Sequence, residues 1–210
     1  MALALAALPA HAAPSPVPKT ASFAWSGGQL RMSVAYREVL DGPLQGKVLS
    51  GLPTTVVLRA YVFEENGTAP IALSVKTCKV TYDLWNEVFK VELNQTGAPP
   101  RVDPAVVNLN GVLGRCAEAR DLMLAQPGQL RTGGRYVINA LVEVNPVSPE
   151  MLERIRRWVS RPAGTTRIGA GDALFGSFAG LFVARMQSAD RELAFRTQPL
   201  VAPPPPPPSP

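Results

Sequence analysis

Between residues 54 and 93 apolar and polar positions alternate in three runs separated by two polar breaks, which predicts a three-stranded antiparallel meander. In the first run, 56–63, Val56, Leu58, Ala60 and Val62 fall on one face and Val57, Arg59, Tyr61 and Phe63 on the other. Both faces are largely apolar, so this strand reads as covered on both sides. Glu64-Glu65-Asn66-Gly67 follows, where Asn-Gly is expected to supply the positive φ angles of a tight hairpin turn. The return run, 71–82, puts Ala72, Ser74, Lys76, Cys78, Val80 and Tyr82 on one side. Ile71, Leu73, Val75, Thr77, Lys79 and Thr81 take the other. A second turn over 83–87 leads into 88–93, with Phe89, Val91 and Leu93 inward and Lys90 and Glu92 outward.

The same reading extends along the chain. Strands are expected over 23–26 and 29–40 around Gly27-Gly28, with Leu30, Met32, Val34 and Tyr36 forming a dry face against Arg31, Ser33 and Arg37. Asp41-Gly42-Pro43 breaks the second strand, and 44–50 is a short segment of unassigned type. A loop is expected over 94–103, around Gly97 and Pro99-Pro100. Residues 110–124 read as a helix, with Val112, Leu113, Cys116, Ala119, Leu122 and Met123 at helical spacing. Gly133-Gly134 precedes a strand over 135–144. Ser148, Pro149 and Glu150 mark the start of a helix over 149–160, whose apolar face carries Met151, Leu152, Ile155 and Trp158 or Val159. The stretch 173–186, ALFGSFAGLFVARM, is strongly apolar but too short to span a bilayer. A last strand is expected over 192–196. The fold class is therefore mainly β, a β-sandwich or curved antiparallel sheet with two or three helices, in a single domain over 23–200.

The ends read differently. Residues 1–12 combine a short apolar run with Ala10-His11-Ala12, a small-x-small cleavage signature, and are expected to be a signal peptide truncated at its start, since no basic residue precedes the run. A Pro-rich linker, 13–22, follows, and 201–210 is a polyproline tail. The chain is thus expected to be exported, periplasmic or secreted.

Export changes the chemistry open to the protein. His11 is the only histidine, so a processed chain has none. That excludes Ser-His-Asp and Cys-His nucleophilic sites and every His-ligated metal. No metal, no cofactor and no enzymatic activity are expected. Cys78 and Cys116 can pair in an oxidising compartment, or they can be two small buried hydrophobes that never meet; the sequence leaves both open.

Other candidate chemistry is thin. Gly169, Gly171 and Gly176 do not complete a dinucleotide fingerprint, because position 174 is Leu174. Ser177 has no histidine to activate it. Glu64, Glu65, Asp83 and Glu87 sit near the two meander turns, at opposite ends of antiparallel strands, where carboxylates are ordinarily solvated. The net charge of +5 suits anionic surfaces, but nucleic acid is not expected, since aromatic and basic residues do not interleave.

The order of segments carries a resemblance. Ser50-Gly51-Leu52-Pro53 leads into an alternating strand, a return strand ends at Tyr82-Asp83, and an aromatic-bearing strand follows. Then come a helix, a strand with Tyr136 and a Pro-flanked helix with Trp158. Over about 31–161 this resembles a family of small exported bacterial proteins known only as a domain of unknown function. The resemblance implies an envelope location and a β-rich fold, and no mechanism.

The expected function is that of a non-catalytic envelope adaptor or structural subunit. Its contact surface is expected at Arg154, Arg156, Arg157, Arg161 and Arg167 beside Phe175, Phe178 and Phe182. The partner is expected to be an envelope protein or an anionic membrane surface. The alternative is a periplasmic carrier of a lipid or small apolar ligand.

Overall fold

The structure is a computed structural model that describes residues 16–147 and 189–203. Eleven strands are described in chain order. They are β1 (Val17–Lys19), β2 (Ser22–Ser26), β3 (Gln29–Ala35), β4 (Thr54–Glu64), β5 (Pro70–Asp83) and β6 (Val88–Gln95). Then follow β7 (Ala98–Val106), β8 (Glu118–Ala125), β9 (Arg135–Val144), β10 (Arg191–Thr197) and β11 (Leu200–Val201). Two helices, α1 (Gly42–Leu49) and α2 (Leu109–Cys116), and a 3-10 turn (Arg37–Val39) connect them.

The strands form two sheets. The larger runs β1-β10-β9-β4-β5-β6-β7, with β11 also paired to β9, and every pairing is antiparallel except β1 with β10. The smaller runs β2-β3-β8. Their inner faces share one apolar core: Leu30 and Met32 of β3 and Leu122 and Leu124 of β8 against Val56, Leu58, Ala60 and Val62 of β4 and Ile138 and Val142 of β9. The architecture is the sandwich-like, mainly β fold that the alternation predicts. The central meander lies where expected, with Val56 opposite Cys78 and Val80 opposite Val91.

The covering of β4 is unequal. Val56, Leu58, Ala60 and Val62 are fully buried, whereas Arg59, Tyr61 and Phe63 on the other face are half-buried. The first turn also differs from expectation. Neither Asn66 nor Gly67 has positive φ. The five-residue connection after Glu64 closes instead with the Gly67 amide donating to the Glu64 carbonyl at 2.9 Å, as longer hairpin loops do.

Five segments take a conformation that the sequence reading did not assign. Residues 110–124 are not one helix. After α2 the chain turns at Ala117 and β8 begins, pairing with β3 through Leu30–Ala125 and Ala35–Glu118. The run Leu122–Ala125 is buried throughout, and a short continuous apolar run has no period that separates strand from helix. The expected 94–103 loop is a tight hairpin into the edge strand β7. Its Gly97 has φ +82°, and a Cβ there would stand 2.7 Å from Met123 Cβ, so only glycine fits. Prolines are compatible with β7 because one side of an edge strand needs no ladder donors.

The strand expected over 29–40 ends at Ala35, the chain passes through the 3-10 turn Arg37–Val39, and Asp41-Gly42-Pro43 then starts a helix over the segment left unassigned. Asp41 accepts from the Leu44 amide at 3.4 Å, Pro43 sits in the first turn, and Leu44 and Val48, one turn apart, are buried. In the expected linker, residues Val17–Lys19 pair in parallel with Phe195–Thr197. The expected helix 149–160 and the apolar stretch 173–186 lie outside the described residues.

Candidate functional site

Residue by residue, a cavity rich in cations is assembled between β5–β7 of the large sheet, β8 of the small one and α2. It encloses about 510 Å³. Its cations are Arg37, Lys76, Arg101, Arg115 and Arg120.

Lys76 forms the floor. Alternation along β5 turns Ser74, Lys76, Cys78 and Val80 inward, so an ammonium is carried into the sandwich where its neighbours are apolar or small. It is only 5% exposed. Its Nζ donates to the backbone carbonyls of Arg115 and Glu118, at the end of α2 where unpaired carbonyls and the helix dipole favour a cation. Burial pushes its pKa down to about 8, with the positive charges of Arg120 and Arg101 adding to the fall and Glu118 opposing it.

The arginines are arranged in two groups, each built on one carboxylate. On β7, Asp103 accepts from Arg101 Nε at 2.9 Å and Arg101 Nη2 at 2.6 Å, and also from Arg115 Nε of α2. These hydrogen bonds hold Asp103 down at a pKa of about 2. On β8, Glu118 accepts from Arg120 through Nε at 3.0 Å and Nη2 at 2.8 Å, and from Arg37 Nε at 2.7 Å. Burial alone would raise the Glu118 carboxyl, but the hydrogen bonds and charges of Arg120 and Arg37 outweigh it and leave the pKa below the ordinary value. Arg37 Nη1 further donates to Asn110 Oδ1 at 3.1 Å, and Arg115 Nη1 to the Gly111 carbonyl at 3.0 Å.

α2 holds these parts in register. Asn108 caps it by accepting from the Gly111 amide at 2.8 Å. Its last residue, Cys116, is joined to Cys78 of β5 in a disulfide with Cα atoms 5.1 Å apart. The pairing that the sequence left open is thus present, and it ties α2 to the strand that carries Lys76.

The pocket was not among the residues singled out from sequence. Lys76 was the available signal, a lysine on the same side of β5 as Cys78 and Val80. Arg37 and Arg101 lie far in sequence from the Arg115–Arg120 segment and join it only through the folding of β3 beside β8 and of β7 beside α2. The predicted contact residues Arg154, Arg156, Arg157, Arg161, Arg167, Phe175, Phe178 and Phe182 lie outside the described residues.

The turn carboxylates are placed as expected, at opposite ends of the meander. Glu64 and Glu65 pair with Arg131 and Arg135 beside a second, shallower cavity of about 490 Å³. Hydrogen bonding from Arg135 holds Glu65 below the ordinary carboxylate pKa. Asp83 accepts from the amides of Trp85 and Asn86 at 2.9 and 3.1 Å, fixing a turn that leaves Trp85 96% exposed. Among the described residues no three His, Cys, Asp or Glu side chains converge as metal ligands, and no helix is long and apolar enough to cross a membrane.

Comparison with family models, with curated proteins and with solved structures finds no match, so the resemblance noted from the order of segments stays an expectation.

Proposed function

We propose that this protein is a non-catalytic, exported binding module, an adaptor of the cell envelope that holds an anionic group of its partner in the basic pocket. The observation that carries this reading is the charge of that pocket. Five cations set against Asp103 and Glu118 leave a net charge of +3 there. Such a concentration of positive charge attracts an anionic partner and orients it on approach.

The absence of catalysis is supported by how the pocket's groups are engaged. Among the described residues its lining has no histidine, cysteine, serine, threonine or tyrosine. Both carboxylates are held ionised by arginines, so neither is tuned as an acid or base near neutral pH. The Lys76 ammonium already donates to two carbonyls. An apolar-ligand carrier has less in its favour, since the inward faces of β4 and β9 are covered by core side chains of β3 and β8. Export is supported by the apolar 1–12 segment and by the Cys78–Cys116 disulfide, because structural disulfides persist in oxidising compartments.

In-cell photocrosslinking tests the proposal directly. A photoreactive residue at Pro99, on the pocket rim, is expected to yield one dominant adduct in the envelope fraction. The adduct should disappear in the folded double variant R101E/R120E. Recovery of the protein in the cytoplasm, or an adduct indifferent to charge reversal, would overturn the reading.

A further inference from the structure

Resting on the pocket reading above, we infer that the group the pocket holds is a phosphate monoester, taken up by unengaged guanidinium nitrogens of Arg101, Arg115 and Arg120 above the Lys76 floor. The argument starts from which donors remain. Arg101 uses Nε and Nη2 on Asp103, Arg115 uses Nε and Nη1 on Asp103 and Gly111, and Arg120 uses Nε and Nη2 on Glu118. That leaves Arg101 Nη1, Arg115 Nη2 and Arg120 Nη1 without a hydrogen-bond acceptor among the described residues. All three arginines line the same cavity.

The carboxylates act as supports. Each fixes the planes of two guanidiniums, so the ordering cost is met before any ligand arrives. Each Arg-carboxylate-Arg group keeps one net positive charge, and Lys76 adds a third. A monocarboxylate would neutralise only one of these charges with two oxygens. A phosphate monoester brings about two charges and three acceptor oxygens on one centre, which suits three guanidinium donors lining one cavity and the planar fork of arginine. The exposure of Arg101, at 61%, and Arg120, at 74%, leaves the mouth open to a phosphate carried on a larger body. The phosphate could belong to a soluble sugar or glycerol ester or to a lipid headgroup.

The test is titration calorimetry of the full chain with glycerol 3-phosphate, with succinate, and with phosphatidylcholine vesicles with and without phosphatidic acid. Binding of glycerol 3-phosphate is expected, strengthening between about pH 5 and 7 as the ester loses its second proton near pH 6. It should weaken at least tenfold in R101Q/R120Q, whose substituted side chains are solvent-exposed and whose thermal midpoint is expected to hold. Binding only to phosphatidic acid vesicles supports the same chemistry and identifies a lipid source. Succinate binding as well as or better than the phosphates would overturn the phosphate inference while leaving an anion-binding pocket. A chain that binds no phosphate yet crosslinks to its partner through Pro99 would likewise overturn this inference and retain the adaptor reading.

Discussion

Lys76 is the residue on which the site and the energetics of the fold meet. Its neighbours along the inner face of β5 are Ser74 and Cys78, and its ammonium is held in that setting by two backbone carbonyls. Burial lowers its pKa from the ordinary 10.5 to about 8. Between those values the unfolded chain keeps a proton that the folded chain has released. Unfolding then takes up protons, so this group makes stability rise with pH across that window. Tyr36 acts in the opposite direction above about pH 10. Its phenol is raised by burial and then by Glu118, so the folded state keeps a proton that the unfolded state gives up. We therefore expect the unfolding free energy from urea titrations to climb between pH 8 and 10, with a slope of up to about 1.4 kcal/mol per pH unit. K76M should flatten that climb. A slope that persists in the variant would assign the pH dependence to another group.

Among elements, α2 carries the most consequence for its length. It is eight residues long, too short to be stable alone, and is fixed by the Asn108 cap at one end and the Cys78–Cys116 disulfide at the other. The disulfide closes a loop with a sequence separation of 38, for which chain entropy gives about 4 kcal/mol. C78A/C116A is expected to lose about that amount in urea unfolding, and to bind anions more weakly because Lys76 and Arg115 adjoin the two cysteines. A loss below about 1 kcal/mol would mean that packing of Val112 and the cap alone hold the helix. The same element shows where sequence reading succeeds and where it stops. Strict alternation identified β4, β5, β6 and β9, since a half-buried or buried strand has to repeat every two residues. It merged α2 with β8, because the apolar run Leu122–Ala125 fits either period and the break at Ala117 carries neither glycine nor proline. The alternation put Lys76 on the same side of β5 as Cys78 and Val80, but both sides of that run mix apolar and polar residues, so it did not tell which side faces in. Arg37 and Arg120 share Glu118 only once β3 lies beside β8, and strand order is not written in local pattern.

At the scale of the whole molecule, β7 is the last strand of the large sheet among the described residues, and the composition of that strand bears on association between copies. An edge strand presents unpaired amides and carbonyls to any passing chain. β7 reads Ala-Pro-Pro-Arg-Val-Asp-Pro-Ala-Val and is exposed along most of its length. Pro99, Pro100 and Pro104 each remove a backbone donor, and Asp103 is tied to Arg101 and Arg115, so the edge offers few consecutive hydrogen-bonding groups to a second sheet. Pro99 lines the pocket, but Pro100 and Pro104 do not. Replacing these two with threonine restores two donors and raises strand propensity without touching the cations. P100T/P104T is therefore expected to associate with rising concentration in sedimentation velocity, relative to the unaltered chain, while its affinity for an anionic ligand is retained. If the variant sediments as the unaltered chain does at every concentration, the prolines do not guard the edge. The protection would then rest on the exposed charge of Arg101 and the short, bulged pairing of β7 with β6.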